Sequence, residues 1–140
     1  MDHVAMMNPS WKLIAKILCG EKTIESRWYQ TRRAPWNTIS IGDRIFFKDS
    51  GKPITAQATV SRVWRFEIAS PQDAKRIVDE FGVRIAIVNS NVSTWNKLPK
   101  YCVLIELQDP ECITPFAIDK NGFGSGVAWI SVDSIDQIRV

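Results

Sequence analysis

Residues 17–27 read ILCGEKTIESR, and within this stretch a helical pattern gives way to a strand pattern. Upstream, Asn8 offers a side-chain cap for a helix start. Apolar residues then recur at helical spacing, which predicts a helix over 11–19 that covers one opening of the fold and ends at Gly20. Lys22 therefore lies at the junction between this helix and the next element.

The next element is predicted to be a strand, because Thr, Ile, Trp and Tyr dominate residues 23–29. Side chains alternate along a strand, so Glu25 and Arg27 share one face while Ile24 and Trp28 share the other. The sequence thus places a carboxylate and a guanidinium next to each other, just beyond the lysine.

Most of the remaining chain has the pattern of strands. Arg62 interrupts the apolar face of the longest one, which favours a β-bulge there over a functional site. Pro110 and Pro115 are expected to break the chain after an apolar strand. The predicted strands cover residues 44–48, 54–68, 101–107, 116–118 and 127–132.

A second helix is predicted after Ser70, whose side chain can cap it, and is expected to end at Gly82. Residues 83–88 fit either a strand or a continuation of this helix. Residues 89–100 are polar and irregular and are predicted to form a surface loop.

About six short strands that do not alternate regularly with two helices favour a mostly β, α+β architecture. We expect a small, mostly antiparallel β-barrel, closed or nearly closed, with flanking helices. The length of 140 residues predicts a single domain over 1–140. With 45% hydrophobic and 24% charged residues, the chain has the composition of a globular protein and excludes disordered and coiled-coil classes.

The net charge of +3 is too small to establish a polyanion partner, but its distribution is uneven. Residues 22–36 carry four cations against one carboxylate and include Trp28, Tyr29 and Trp36. Such a combination can pair phosphates and stack bases, and it equally fits core aromatics beside a solvated basic face. Under the first interpretation Lys22, Arg27, Arg32 and Arg33 contact the polyanion.

Three cysteines and one histidine, without a CxxC pair, provide too few ligands for a zinc site or a disulfide framework. We expect reduced, mostly buried cysteines, a cytoplasmic protein, and neither a metal nor another cofactor. Charged residues interrupt the N-terminal apolar stretch, which argues against a signal peptide or a membrane span. His3 is expected on a loose terminus, so a Ser-His triad is not predicted.

A helix that ends at Gly20 and continues as x-Lys-x-x-Glu-x-Arg over 21–27 resembles the signature of the ASCH domain family. Gly42-Asp43, the hairpin at 48–51, the strand from Tyr101 with Glu106, and the closing 128–130 segment also resemble the family, so the similarity extends over nearly the whole chain. The resemblance implies a PUA-like β-barrel with a cleft beside the signature and a link to RNA or nucleotide chemistry.

Activities within the ASCH family are divided. Some members are proposed nucleic-acid-binding modules or coactivator components, one branch hydrolyses the acetyl amide of N(4)-acetylcytidine, and another is reported to cut single-stranded RNA. In the amidohydrolase branch a Lys, a Thr and a later Glu carry the reaction. Lys22 matches the Lys, whereas Glu25 stands at the Thr position, and Glu80 or Glu106 are the candidates for the later Glu.

The leading hypothesis is a protein that binds RNA or a modified nucleoside in a cleft lined by Lys22, Glu25, Arg27 and nearby aromatic residues, including Trp28. The second is a metal-independent hydrolase of a modified pyrimidine nucleoside or of RNA, with Lys22 and Glu25 as the catalytic pair. The third is a protein-interaction module without a nucleic-acid role. The sequence leaves open whether Glu25 pairs with Lys22 or with Arg27, and therefore whether the lysine is an ammonium or a free amine.

Overall fold

A computed structural model describes residues 1–87 and 95–140, in which six strands form one sheet. The strands are β1 (Asp2–Met7), β2 (Ile24–Tyr29), β3 (Arg44–Asp49), β4 (Ile54–Glu67), β5 (Tyr101–Phe116) and β6 (Trp129–Val132). The helices are α1 (Leu13–Leu18) and α2 (Pro71–Ile85), with short 3-10 turns at Pro9–Trp11 and Ile135–Gln137. No helix in the described ranges is long and apolar enough to cross a membrane.

The sheet has the order β2-β5-β4-β3-β1-β6 and curls into a half-barrel. All of its ladders are antiparallel except the parallel pair β1–β3. The predicted α+β class and the mostly antiparallel sheet are therefore confirmed. The barrel is open between its edge strands, β2 and β6, since no ladder joins them within the described residues.

Three apolar clusters pack against the curled sheet, and two of them include residues of α1 or α2. One, on the concave side, packs Phe47, Ile45 and Ile105 against Ile14 and Ile17 of α1. The other lies between α2 and the β2–β5 pair, where it buries Ile24, Leu104 and Phe81 among others. The alternation predicted for β2 is confirmed, because Ile24 and Trp28 pack in the second cluster while Glu25 lies on the opposite face.

The side chain of Arg27 spans the open seam of the half-barrel. Its guanidinium donates hydrogen bonds to the carbonyl of Met6 at 3.1 Å and to the carbonyl of Ala128 at 3.1 Å. It also lies over the ring of Trp129, with 5.2 Å to the centroid. This one side chain from β2 thus connects the two edges of the sheet.

The prediction of a loose N-terminus is wrong, because residues 2–7 form β1 in the interior of the sheet. His3 is completely buried. Its Nε2 lies 2.7 Å from a carboxylate oxygen of Asp43, and the indole N–H of Trp129 donates to Nδ1 at 3.1 Å. An indole nitrogen can only donate, so Nδ1 is unprotonated and Nε2 carries the proton donated to Asp43.

The prediction that Gly82 ends the second helix is also wrong. The helix continues to Ile85 and ends at Ala86, whose φ is 63°. A Cβ on Gly82 would lie 3.2 Å from the carbonyl oxygen of Ile87. The glycine therefore permits the chain to return closely against the helix, and of the two alternatives for 83–88 helical continuation is correct up to residue 85.

The strand predicted over 101–107 continues through both prolines to Phe116. Register shifts interrupt the β4–β5 ladder between Gln57 and Thr59 and between Ile54 and Ala56. Pro110 and Pro115 fall opposite these irregular positions, where a missing N–H interrupts no regular ladder bond. The β-bulge predicted at Arg62 is confirmed by a register shift between Val60 and Arg62.

Two further expectations concern the predicted loop and the cysteines. The predicted loop 89–100 is described from residue 95 onward, and residues 88–94 lie outside the described residues. The cysteines are free, but only Cys102 is buried, whereas Cys19 and Cys112 are exposed. Burial raises the pKa of the Cys102 thiol.

Candidate functional site

A cavity of about 770 Å³ lies where α1, the first half of β2 and the end of α2 meet. Both Lys22 and Glu25 line this cavity, as the signature residues were predicted to do together. Its remaining lining includes one more cation, Lys16, and is otherwise aromatic, apolar or small and polar, from Trp11, Leu13, Ser26, Trp28, Trp95 and residues 85–87.

Lys22 is held at the cavity wall by the ends of two helices. The turn after α1 uses Gly20 at a φ of 84°, and the backbone N–H of Lys22 then donates to the carbonyl of Lys16 at 3.0 Å. The lysine is buried, and its Nζ donates to the carbonyls of Ile24 at 2.8 Å and Ile85 at 2.6 Å. Two of the three ammonium donors are therefore committed to the backbone, which leaves one for the cavity side.

Burial lowers the pKa of the Lys22 ammonium from its ordinary range, because desolvation penalises the charged form. The nearby carboxylate of Glu25 opposes this shift, and the positive charge of Arg27 adds to it. The amine form of Lys22 is therefore accessible at a lower pH than for an exposed lysine.

Glu25 is buried and lies between two cations. Its Oε1 accepts the backbone N–H of Ser26 at 2.9 Å and lies 3.7 Å from Nζ of Lys22. Its Oε2 lies 3.9 Å from the guanidinium of Arg27 and has no hydrogen-bond partner among the described residues. The carboxylate thus contacts both cations, and a buried acceptor oxygen beside the cavity is left without a donor.

Aromatic side chains form another part of the cavity lining. The rings of Trp28 and Trp95 lie 4.9 Å apart at an interplanar angle of 49°. The indole N–H of Trp28 donates to Oγ of Ser26 at 3.0 Å, which fixes its ring. Because β2 is an edge strand, side chains from both of its faces can border one cavity.

A second cavity of about 360 Å³ adjoins the first, since Trp28 and Trp95 line both. Arg33 lines this second cavity and lies over the ring of Tyr29, with 4.1 Å to the centroid. Arg32, which was predicted to contact the same polyanion as Arg33, lines neither cavity. It forms an exposed ion pair with Glu67 at 2.6 Å and lies over Tyr101.

The candidates for a later catalytic glutamate do not reach the cavity. Glu80 is exposed on α2. Glu106 accepts a hydrogen bond from Ser61 at 2.9 Å and lies 3.9 Å from Arg84. Among the described residues that line the larger cavity, Glu25 is the only acid.

Arg27, predicted to bind the ligand, lies behind Glu25 with its side chain 12% exposed. Its hydrogen bonds to the carbonyls of the β1 and β6 region compete with any contact to a ligand. Its binding role stays a prediction, while its contacts show a residue that forms an ion pair with Glu25 and connects the two sheet edges.

The residues that sequence reasoning missed come from distant segments. Trp95 follows an irregular stretch without periodicity, and residues 85–87 belong to a helix predicted to end earlier. Trp11 was assigned to the apolar face of the first helix, yet it precedes that helix and is 60% exposed at the cavity rim. The exposure of Trp11 is visible only in the structure, so no local sequence pattern marked it as a cavity residue.

No group of three potential metal ligands from His, Cys, Asp and Glu is found in residues 1–87 and 95–140.

Neither a protein-family model nor a curated protein sequence matches the chain. The ASCH crystal structure from Zymomonas mobilis has a TM-score of 0.70 and 17% identity, covering 97% of this chain and 91% of that chain. A variant of the same protein gives a TM-score of 0.71 at 16% identity, covering 97% and 93%. The chain has the ASCH fold.

The resemblance predicted from the signature is thus confirmed for the fold. At 16% and 17% identity the likeness to the Zymomonas mobilis ASCH structures defines architecture and carries no residue roles. In this ASCH fold, the chemistry of the cavity has to be argued from the contacts of Lys22 and Glu25 themselves.

Proposed function

We propose that this protein belongs to the ASCH family and binds RNA or a modified nucleoside, with one nucleobase in the cavity of Lys22 and Glu25. The observation that carries the proposal is the buried Oε2 of Glu25, which has no hydrogen-bond donor in the described structure. A buried acceptor of this kind is costly unless a ligand supplies the donor. The other oxygen of the same carboxylate, Oε1, lies 3.7 Å from the buried ammonium of Lys22.

The polar pair matches the edge of a nucleobase. Every base presents an N–H donor next to a carbonyl or ring-nitrogen acceptor, and carboxylates accept from the exocyclic amine of cytosine. A base amine can donate to Oε2 of Glu25, while the uncommitted N–H of Lys22 donates to the adjacent acceptor. Since Oε1 of the same carboxylate lies 3.7 Å from Nζ, the lysine and the glutamate are close enough to address neighbouring atoms of one ring.

The aromatic lining fits an unpaired base better than a duplex. Trp11, Trp28 and Trp95 offer indole faces around a recess that a base paired in a helix cannot enter. Sequence-specific RNA recognition uses such splayed-out bases, and stacking on aromatic side chains stabilises single-strand binding by about 1–3 kcal/mol per base.

Direct titration tests this function. A fluorescein-labelled pyrimidine hexaribonucleotide should bind the protein with an affinity that falls between 50 and 200 mM salt, about as expected from single-strand phosphate contacts. Cytidine should compete for the same site. Lack of binding at the lower salt concentration would favour the protein-interaction alternative.

A second candidate function, amide hydrolysis of an acylated cytidine, is favoured by the burial that lowers the pKa of Lys22. In such a reaction water adds to the acyl carbonyl, the C–N bond breaks, and acetate and cytidine leave. Lys22 acts as the base or polarises the carbonyl, and Glu25 exchanges protons with the water and the leaving amine. Incubation with N(4)-acetylcytidine, followed by chromatography, reveals whether cytidine is formed.

A further inference from the structure

We infer that the second cavity is a subsite for the nucleotide next to the base held by Lys22 and Glu25, so that the ligand is a single strand and not a free nucleoside. This inference extends the proposed function and depends on it for the position of the first base. Nothing in the signature motif identifies this subsite, because all of its described lining lies outside residues 17–27.

Position is the first argument for the subsite. Trp28 and Trp95 line both cavities and pack against each other at 4.9 Å between ring centroids. A strand that places a base on one side of this tryptophan pair can continue directly past it. The two recesses are therefore neighbouring compartments of one groove, of about 770 and 360 Å³.

Charge is the second argument. The described lining of the second cavity includes the cations Arg33 and Lys97 and no acid, whereas the first cavity contains a carboxylate. A base edge needs both donors and acceptors, but a phosphate needs donors only. The division of charge between the two compartments thus matches a base in the first and a phosphate in the second.

The third argument is the presence of groups that suit a second base. Arg33 is stacked on Tyr29 at 4.1 Å, an arrangement that presents a flat cationic and aromatic surface. Gln30 donates through its side-chain nitrogen to the carbonyl of Leu98 at 2.9 Å, while its buried Oε1 has no partner in the described structure. That oxygen can accept from a base N–H at the cavity wall.

The experiment compares the labelled pyrimidine hexaribonucleotide with cytidine as probes. We expect the double variant Arg33→Gln/Lys97→Gln to bind the hexanucleotide at least 10-fold more weakly and to lower its log-log salt slope by about 0.7 per lost phosphate contact. Its affinity for cytidine should stay at the parental value. Arg32→Gln removes one positive charge at a neighbouring position that lines neither cavity, and it should leave both affinities and the slope within twofold.

Two results would overturn the subsite. One is a double variant that binds the hexanucleotide with parental affinity and slope. The other is a parent protein that binds cytidine and binds the hexanucleotide no more tightly than cytidine. Failure of the proposed function looks different, since it appears as cytidine binding that is absent or insensitive to Glu25→Gln. Hexanucleotide binding that depends on Arg33 and Lys97 but not on Glu25 would support a binding site for a single strand at the second cavity. It would contradict the base-binding site at Lys22 and Glu25.

Discussion

At the scale of single residues, the site depends on how Lys22 is held. Its Nζ donates to two backbone carbonyls, those of Ile24 and Ile85, so the ammonium serves the fold as well as the cavity. A variant that removes the charge therefore has to be assessed for stability and for ligand binding separately.

Substitution of Lys22 by arginine should separate binding from hydrolysis. A guanidinium keeps the charge and the donors but does not deprotonate at neutral pH, so Lys22→Arg should retain hexanucleotide binding and lose any N(4)-acetylcytidine hydrolysis. Lys22→Met leaves the two carbonyls without their donor and should lower the free energy of unfolding by about 1–3 kcal/mol, with loss of binding. Fluorescence anisotropy and thermal unfolding measure these effects.

The control for this series is Lys75→Met, which removes an exposed lysine from α2 and should change neither quantity. A folded Lys22→Met protein that binds the hexanucleotide like the parent would show that the cavity is not the binding site.

His3 should make stability depend on pH below about 6.5, the ordinary pKa of histidine. Burial lowers the pKa of His3, although Asp43 opposes this shift, so the unfolded chain binds more protons than the folded one as the pH falls. Stability should be fully present above pH 6.5 and decline towards the lowered pKa. Protonation at Nδ1 would also bring two donor hydrogens together, because the indole N–H of Trp129 points at this nitrogen.

Urea unfolding of the parent and of His3→Gln at several values between pH 5 and 7.5 tests this expectation. The parent should lose stability across the interval, and the variant should show a smaller slope. Equal slopes for the two proteins would mean that His3 does not titrate differently in the folded and unfolded states.

The residue scale also shows what the sequence could predict of the site. The spacing predicted that Lys22 follows a helix end and that Glu25 lies just beyond it on the next strand. The cleft beside these residues was implied by the resemblance to the ASCH family and not by the spacing. Trp95 could not be predicted, because its position depends on the course of the chain after α2 and on no local pattern. His3 was missed because six residues before a helix signal look like a terminus unless their partners β3 and β6 are known.

At the scale of elements, the open seam between β2 and β6 depends on Arg27. Arg27→Met should remove the hydrogen bonds to the carbonyls of Met6 and Ala128 and lower the free energy of unfolding by about 1–3 kcal/mol. Arg27→Lys should recover only part of this loss, since an ammonium lacks the planar fork that reaches both carbonyls. Urea unfolding provides the measurement.

Arg76→Met is the matched control, because Arg76 is an exposed arginine on α2 and its removal should change stability by less than about 0.5 kcal/mol. If Arg27→Met and Arg76→Met shift the unfolding midpoint equally, Arg27 does not hold the sheet edges together.

The elements were predictable where local pattern and tertiary context agree. The alternation of β2 and the bulge at Arg62 follow from side-chain periodicity alone. The end of α2 and the length of β5 do not follow from periodicity. Gly82 was predicted to end the helix, but in the structure it permits a close approach of the chain. Pro110 was predicted to break the strand, but it lies at a register shift within β5. Glycine and proline indicate special backbone positions without saying whether an element ends there.

At the scale of the whole molecule, the fold determines where the proposed binding site lies, because an edge strand of the half-barrel lines the cavity. The sheet brings β2 to its edge, α1 and α2 converge on the start of that strand, and the cavity lies where these elements meet. The class of fold was accessible from strand pattern and resemblance together, whereas the parallel pairing of β1 with β3 needed the structure, because it joins the first residues of the chain to a strand about 40 residues later.

The most direct test of the base-binding site is the affinity of Glu25→Gln for the labelled pyrimidine hexaribonucleotide. The N–H of Ser26 fixes the amide oxygen at the Oε1 position, so the amide nitrogen replaces the acceptor Oε2 by a donor. The account predicts binding weakened by about 10- to 100-fold in the folded variant, while Glu67→Gln, at an exposed ion pair, binds like the parent. The thermal stability of Glu25→Gln should fall as well, because Lys22 and Arg27 lose their buried counter-charge, so affinity is measured well below its unfolding temperature. Parental affinity in a folded Glu25→Gln protein would contradict the account.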